Sequence, residues 1–224
     1  MPRTARLVVV NKPHHIYSRA HKGQRLFYTD NDYRKYLQIL QAKASQYKAD
    51  VLAYCLMPDY VELVIVPHRR GSLSRVVGRT QFAYTSYLKT RRKHIEGLWA
   101  GRFQSCVLGD SYLRTAMQYV ESQPVYARIV RKPEKYQFSS AAAHIAGADE
   151  AGLLAIDALP VSFRGKRWAD ALAKKLDEGV RGKIATYTQT GRPLGSVEFV
   201  VELEKKFRRR LHPLPVGRPP KRQL

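Results

Sequence analysis

The sequence has few cysteines, few acidic residues and no long apolar run. Cys55 and Cys106 are the two cysteines. Each lies in an apolar, strand-like stretch without CxxC spacing, so we expect neither a zinc knuckle nor a disulfide framework. Buried free thiols are expected, with a single bridge as the alternative. The absence of about eighteen consecutive apolar residues, or of an N-terminal signal with a long apolar segment, excludes a membrane-spanning protein and favours a cytoplasmic one.

The charge of the chain is strongly one-sided. Forty Lys and Arg residues stand against eighteen Asp and Glu, which leaves a formal net charge of +22. This imbalance exceeds what solubility requires, so the expected partner is a polyanion. The 224 residues, of which 44% are hydrophobic, can bury a substantial core, and one main domain with an appendage is expected.

Apolar periodicity predicts alternating strands and helices before residue 147. Apolar positions recur at helical spacing between Tyr33 and Ala44, and Asp30 is a suitable N-cap. The predicted order is a strand at 7–18, a helix at 30–47, strands at 50–57 and 60–66, a helix from residue 72, a strand at 103–108 and a helix at 110–122. This order fits an α+β fold, an antiparallel sheet with helices packed on one face.

The composition divides the chain into three predicted parts. Residues 1–146 carry the periodic segments and form the main domain. Residues 147–204 form a helical C-terminal appendage, with predicted helices at 168–176 and 196–211 separated by a glycine-bearing stretch at 179–195. Residues 205–224 form a basic tail with eight Lys and Arg residues, expected to be disordered unless nucleic acid orders it.

Five segments together carry a resemblance to a known family. They occur in the family's order and are PHHI at 13–16, AYCLMP at 53–58, GLWAGRF at 97–103, YVESQPV at 119–125 and TGRPLGS at 190–196. The chain resembles the REP-associated tyrosine transposases, relatives of the single-strand insertion-sequence transposases in the HUH superfamily. The resemblance implies a ferredoxin-like or RRM-like sheet, single-stranded DNA cleavage with strand transfer, and a prokaryotic, cytoplasmic, nucleoid-associated protein.

The resemblance also implies a catalytic site. Tyr119 occupies the position of the nucleophile, whose hydroxyl attacks the scissile phosphate and forms a 5′-phosphotyrosine bond. In such enzymes a divalent cation polarises that phosphate. Gln123 lies four residues later, where related enzymes place a third metal ligand, and helical spacing puts it on the face of Tyr119.

The chain departs from the family at the metal-binding strand. The family pattern after Leu-Met-Pro is Asn-His-hydrophobic-His, whereas this chain has Asp59, Tyr60, Val61 and Glu62. Strand alternation puts Tyr60 and Glu62 on one face, so both histidine ligands are replaced. Glu62 and Gln123 remain as one carboxylate and one amide, which predicts weak binding of Mg²⁺ or Mn²⁺, or none. Asp59 or His15 would rescue the site if the geometry allowed it, although His15 also fits a strand residue near the core.

Basic residues predict the nucleic-acid surface. The phosphate backbone should supply most of the affinity. Gly217-Arg218-Pro219 resembles an AT-hook, with a flexible basic tail as the equal alternative. The predicted binding residues are Arg69, Arg70, Arg75, Arg79, Arg91, Arg92, Lys93, Arg102, Arg208, Arg209, Arg210, Arg218, Lys221 and Arg222.

Three functional hypotheses follow. The first is a transposase-derived protein that binds hairpin or single-stranded DNA with impaired cleavage. The second is a working Tyr119 transposase that uses an altered cation site. The third is an RNA-binding accessory protein, because an RRM-like sheet with a basic surface serves RNA equally well. A monomer is favoured over a dimer.

Overall fold

The computed structural model describes residues 5–92, 95 and 97–212. Within these ranges a four-stranded sheet is formed by β1 (His14–Arg19), β2 (Ala49–Leu56), β3 (Tyr60–Pro67) and β4 (Gln104–Val107). The helices of the same ranges are α1 (Asp30–Gln46), α2 (Ser72–Arg91), α3 (Asp110–Glu121), α4 (Gln123–Tyr126), α5 (Ala141–Ala146), α6 (Gly165–Ala173), α7 (Glu178–Thr190) and α8 (Val197–Phe207).

The sheet has the order β2-β3-β1-β4, and all three strand pairs are antiparallel. In this register Tyr17 lies opposite both Glu62 on β3 and Gln104 on β4. His15 lies opposite Cys106 on β4. Because strand residues alternate between faces, these side chains share one face of the sheet. The predicted α+β fold with an antiparallel sheet is confirmed.

Helices cover both faces of the sheet. The expectation of helices on one face holds for α1 and α2, which pack against each other and against β2 and β3. From the opposite face, α3 also contacts β2 and β3, and α7 contacts β4 and β1. This second face carries Tyr17 and Glu62, so α3 and α7 decide what surrounds them.

Several predicted boundaries differ from the structure. The first strand begins at His14 rather than Leu7, because Pro13 cannot donate to the ladder. Leu7 instead packs in a separate apolar cluster with residues of α8. The N-cap of α1 is Thr29, one residue before the predicted Asp30, and it forms a capping box with the side chain of Asp32.

The largest difference concerns α7. The stretch at 179–195 was expected to separate two helices, since Gly179 and Gly182 disfavour helix. The structure has α7 there, begun by Asp177, whose carboxylate accepts from the backbone N–H groups of Gly179 and Val180. Burial of Ile184 in the main core stabilises the helix. Tertiary packing therefore outweighs the low helix propensity of glycine.

Three further expectations concern the cysteines, membrane-spanning helices and some of the predicted basic residues. Cys55 and Cys106 are both buried free thiols, on strands β2 and β4 at opposite edges of the sheet. In the part of the chain that the structure describes, no helix is long and apolar enough to cross a membrane. Lys93, Arg218, Lys221, Arg222 and the Gly217-Arg218-Pro219 motif lie outside the described residues.

Candidate functional site

A cavity of about 450 Å³ lies between the second face of the sheet, α3 and α7. We call it the Tyr119 pocket. It opens beside β1, β3 and β4, the three strands whose pocket-facing positions alternate with core positions. Its walls are formed by His15, Tyr17, Arg19, Tyr60, Glu62, Gln104, Tyr119, Gln123, Ala185, Thr188 and Gln189. The pocket thus brings together four of the five residues predicted for catalysis and metal binding.

Glu62 and His15 form a buried pair at the floor of the pocket. The Glu62 Oε2 and His15 Nε2 atoms are 3.9 Å apart, and both residues are almost fully buried. Neither of these two atoms has a hydrogen-bond partner. Burial raises the pKa of Glu62, partly offset by His15, Gln123 and Tyr119. Burial opposes protonation of His15, but the neighbouring Cys106 side chain and the charge of Glu62 raise its pKa to about 9.

Tyr119 reaches the pocket from the last turn of α3. Its ring meets the His15 ring edge to face, with the centroids 5.6 Å apart. Burial, and then the charge of Glu62, raise the pKa of the Tyr119 hydroxyl well above its usual value, while a hydrogen bond with Gln123 opposes the shift. The phenolate form of Tyr119 is therefore disfavoured in the absence of an added cation.

Gln123 is already engaged by its neighbours. The helix of Tyr119 ends at Glu121, and Gln123 begins the short α4. The Tyr60 hydroxyl donates to Gln123 Oε1 at 3.0 Å. Gln123 Nε2 donates to the backbone carbonyl of Tyr119 at 3.3 Å. The amide oxygen expected to be a metal ligand thus accepts a hydrogen bond from Tyr60, which was expected to stand at a histidine position.

Helix α7 supplies a part of the site that sequence reasoning missed. The hydroxyl of Thr188 lies 2.7 Å from His15 Nδ1 and 3.3 Å from Cys106 Sγ. It also donates to the carbonyl of Ile184 within the helix, so it accepts from His15. Asp177 as an N-cap was the available sequence signal for this helix.

The donors in the Tyr119 pocket fit Mg²⁺ or Mn²⁺ poorly. These cations prefer several carboxylate, carbonyl or water oxygens, whereas the pocket offers a single carboxylate beside glutamine amides, an imidazole and neutral hydroxyl groups. Asp59 is exposed in the turn before β3 and does not line the pocket. Among the residues that the structure describes, no group of three His, Cys, Asp or Glu side chains is placed to hold a metal ion.

A buried network secures α3 two residues after Tyr119. Ser140 Oγ donates to Glu121 Oε1, and Trp168 Nε1 donates to Glu121 Oε2 at 2.7 Å. His144 Nδ1 contacts Glu121 Oε1 at 2.5 Å. Glu121 and its partners from α5 and α6 are buried, so this network fixes the end of α3 that presents Tyr119.

The predicted basic residues that the structure describes lie at the two ends of α2 and near a second cavity. Arg69, Arg70, Arg75 and Arg79 are exposed at and before the start of α2. At the other end of that helix, Arg91 and Arg92 stack on the rings of Tyr87 and Tyr28, at 4.9 Å and 3.8 Å. Arg102 and Arg209 lie together in a second cavity beside the Tyr119 pocket, whereas Arg208 and Arg210 are exposed outside it.

Comparison with known proteins identifies the family. The family model described as "Transposase IS200 like" matches residues 9–123, about half of the chain. A solved structure of a REP-associated tyrosine transposase bound to a REP hairpin is 16% identical, with a TM-score of 0.57, and the match covers 72% of this chain and 93% of that one. This similarity shows a shared fold.

A crystal structure described as a candidate transposase from Deinococcus radiodurans R1 is 24% identical, with a TM-score of 0.34, over 55% of this chain and 98% of that one. No curated protein matches the sequence. The family model and the order of sheet, pocket and tyrosine helix agree, and the chain belongs to the IS200-like transposase family.

Proposed function

We propose that this transposase-family protein binds hairpin or single-stranded DNA and that its metal-dependent cleavage is impaired. Membership of the family and the net charge of +22 support DNA as the partner. The relative of known structure was solved with a REP hairpin, which makes a hairpin with a single-stranded flank the first ligand to test.

One observation carries the proposal of impaired cleavage. The two β3 positions that face Tyr119 hold Tyr60 and Glu62, and both are turned to other partners. Glu62 faces His15 at 3.9 Å, so the imidazole competes with any cation for its charge. Tyr60 donates to Gln123. A metal ion would have to displace a buried ion pair and a hydrogen bond to gain two ligands.

Residual cleavage by Tyr119 is the second candidate function. It is supported by the position of Tyr119, which lines the same cavity as Glu62 and Gln123. In this reaction the Tyr119 hydroxyl gives up its proton and its oxygen bonds to the phosphorus, while the bond from phosphorus to the 3′ oxygen of the preceding nucleotide breaks. The leaving 3′ oxygen takes up a proton and becomes a hydroxyl, so the step consumes no net proton.

A covalent-adduct experiment separates the two functions. Wild type and Tyr119→Phe are incubated with a labelled DNA hairpin carrying a single-stranded flank, with and without Mn²⁺, and run on a denaturing gel. We expect both proteins to bind the hairpin in a native gel and neither to form an adduct. An adduct that Tyr119→Phe abolishes would overturn impaired cleavage and establish the second function.

Competition tests the nature of the nucleic acid. Unlabelled DNA and RNA hairpins of matched sequence compete for the complex. We expect the unlabelled DNA hairpin to displace the labelled hairpin at least tenfold better than the RNA hairpin does. Better displacement by RNA would mean that RNA is the ligand.

A further inference from the structure

A second cavity of about 360 Å³ adjoins the Tyr119 pocket. We call it the β4 cleft, because it runs along β4, which forms one edge of the sheet. Gln104, Thr188 and Gln189 form walls of both cavities, so the two cavities lie side by side.

Three arginines from distant parts of the chain converge in the β4 cleft. Arg6 comes from the N-terminal segment, Arg102 from the loop before β4 and Arg209 from the turn after α8. No carboxylate lies within salt-bridge distance of these three among the described residues, and no acidic side chain lines the cleft. Burial, and then the charge of Arg102, lower the pKa of Arg6 to about 10. The cleft therefore concentrates positive charge that an anion would relieve.

Two of the three arginines, Arg6 and Arg209, are held in place before any ligand binds. The guanidinium of Arg6 stacks 3.5 Å above the centroid of the Phe103 ring and donates to the Phe103 carbonyl. Arg209 Nη1 donates to the carbonyl of Ala5 at 2.7 Å, which ties the turn after α8 to the N-terminal segment. Fixed guanidinium groups bind phosphate with a smaller loss of side-chain entropy than free ones.

The neutral walls of the cleft complete a surface suited to nucleotides. Gln104, Gln189 and Thr190 present amide and hydroxyl groups, which can contact sugars and base edges. Ser105 is buried, and its hydroxyl has no hydrogen-bond partner. A positively charged groove that follows the backbone is typical of proteins that bind single strands.

We infer that the β4 cleft holds the phosphate backbone of the single-stranded DNA flank as it leaves the Tyr119 pocket. The inference rests on the proposed function, because it requires a strand at Tyr119. It adds Arg6, a residue absent from the predicted binding set, and it gives Arg102 and Arg209 a shared role that their positions in the sequence do not reveal. The shared walls place the three arginines next to the cavity that Tyr119 lines.

The test compares two hairpins that differ only in the flank. Binding of wild type, Arg102→Gln and Arg209→Gln is measured by fluorescence anisotropy with a flanked hairpin and with the same hairpin lacking the flank. Arg34→Gln is the matched control, because it removes one exposed positive charge on α1, which contacts β2 at the far edge of the sheet. Unfolding curves establish that each variant is folded.

We expect wild type to bind the flanked hairpin more tightly. Each cleft variant should weaken binding of the flanked hairpin roughly tenfold, as for a lost charge-assisted contact. It should also lower the slope of log affinity against log salt by about 0.7. Binding of the flankless hairpin by these variants, and of both hairpins by Arg34→Gln, should stay within about twofold of wild type.

The contrary outcomes separate the two proposals. If the cleft variants weaken both hairpins equally, or neither, the β4 cleft does not hold the flank, although hairpin binding stands. The same conclusion follows if wild type binds both hairpins equally. If wild type binds neither hairpin, the proposed function itself fails and the cleft inference fails with it.

Discussion

Glu121 and Glu62 are both buried carboxylates, but their surroundings differ. Both oxygens of Glu121 are hydrogen-bonded, by Ser140, His144 and Trp168. Glu62 Oε2 has no hydrogen-bond partner, faces His15 at 3.9 Å and lines an open pocket. The comparison teaches that a fully bonded carboxylate stabilises the fold, whereas an incompletely bonded one beside a cavity is available for chemistry.

The largest expected effect tests whether the hydrogen-bonded Glu121 stabilises the fold more than Glu62 does. Glu121→Gln places an amide donor against the donors of Ser140 and Trp168 and leaves buried groups unpaired. We expect the free energy of unfolding to fall by roughly 3 kcal/mol. The matched change Glu62→Gln should cost less, about 2 kcal/mol at pH 7, because it removes the pairing with protonated His15 but no hydrogen bond of Oε2. Urea unfolding measures both, and equal losses would remove the distinction.

The next effect concerns pH. The pKa of His15 is raised to about 9 from its ordinary 6.5, so protonation of His15 stabilises the folded state fully below about pH 6.5, and this contribution is lost as the pH rises through about 9. We expect a loss on the order of 2 kcal/mol between pH 7 and pH 10. His15→Gln should lack it when urea unfolding is repeated at both pH values. An unchanged pH dependence in this variant would refute the pairing with Glu62.

Histidines at positions 60 and 62, as in the family pattern, would add metal ligands to the Tyr119 pocket. Tyr60→His combined with Glu62→His frees the amide of Gln123 and removes the carboxylate paired with His15. We expect Mn²⁺ affinity, measured by calorimetry, to rise at least about tenfold, which corresponds to roughly 1.4 kcal/mol. Tyr119→Phe in the same background serves as a control that keeps both histidines. An affinity equal to that of wild type would mean that the replaced residues do not limit metal binding.

The smallest expected effect tests how much the hydrogen bond from His15 to Thr188 on α7 stabilises the protein. Thr188→Val removes the hydroxyl that bonds His15 Nδ1 at 2.7 Å and keeps the side-chain shape. We expect a loss of about 1 kcal/mol in unfolding free energy. Thr190→Val on the same helix is the matched control, because the exposed hydroxyl of Thr190 bonds only within α7. Equal losses in the two variants would mean that the bond to His15 adds nothing.

Local patterns predicted much of the fold and part of the site. Helical spacing led to α1, α2 and α3 with nearly correct bounds, because each buries one apolar stripe. Strand alternation put Tyr60 and Glu62 on one face, and both line the Tyr119 pocket. The roles of Tyr119 and Gln123 came from the family resemblance and remain predictions.

The surroundings of those residues could not be predicted in the same way. The sequence does not show that Thr188 meets His15 from 173 residues away, or that α7 exists despite Gly179 and Gly182. The Glu121 network also joins residues separated by up to 47 positions. Such contacts depend on which faces pack together, and burial then decides whether a weak helix forms.

The sequence by itself determined the basic character of the protein, its alternation of strands and helices, and the presence of Tyr60 and Glu62 where the family resemblance implies two histidines. These properties follow from composition, periodicity and the side chain at each position. Only the tertiary structure decided that Glu62 is turned to His15, that Gln123 accepts from Tyr60, and that Arg6, Arg102 and Arg209 share one cleft. Hydrogen bonds and burial act over a few ångströms in space, and the folded chain alone brings distant residues that close.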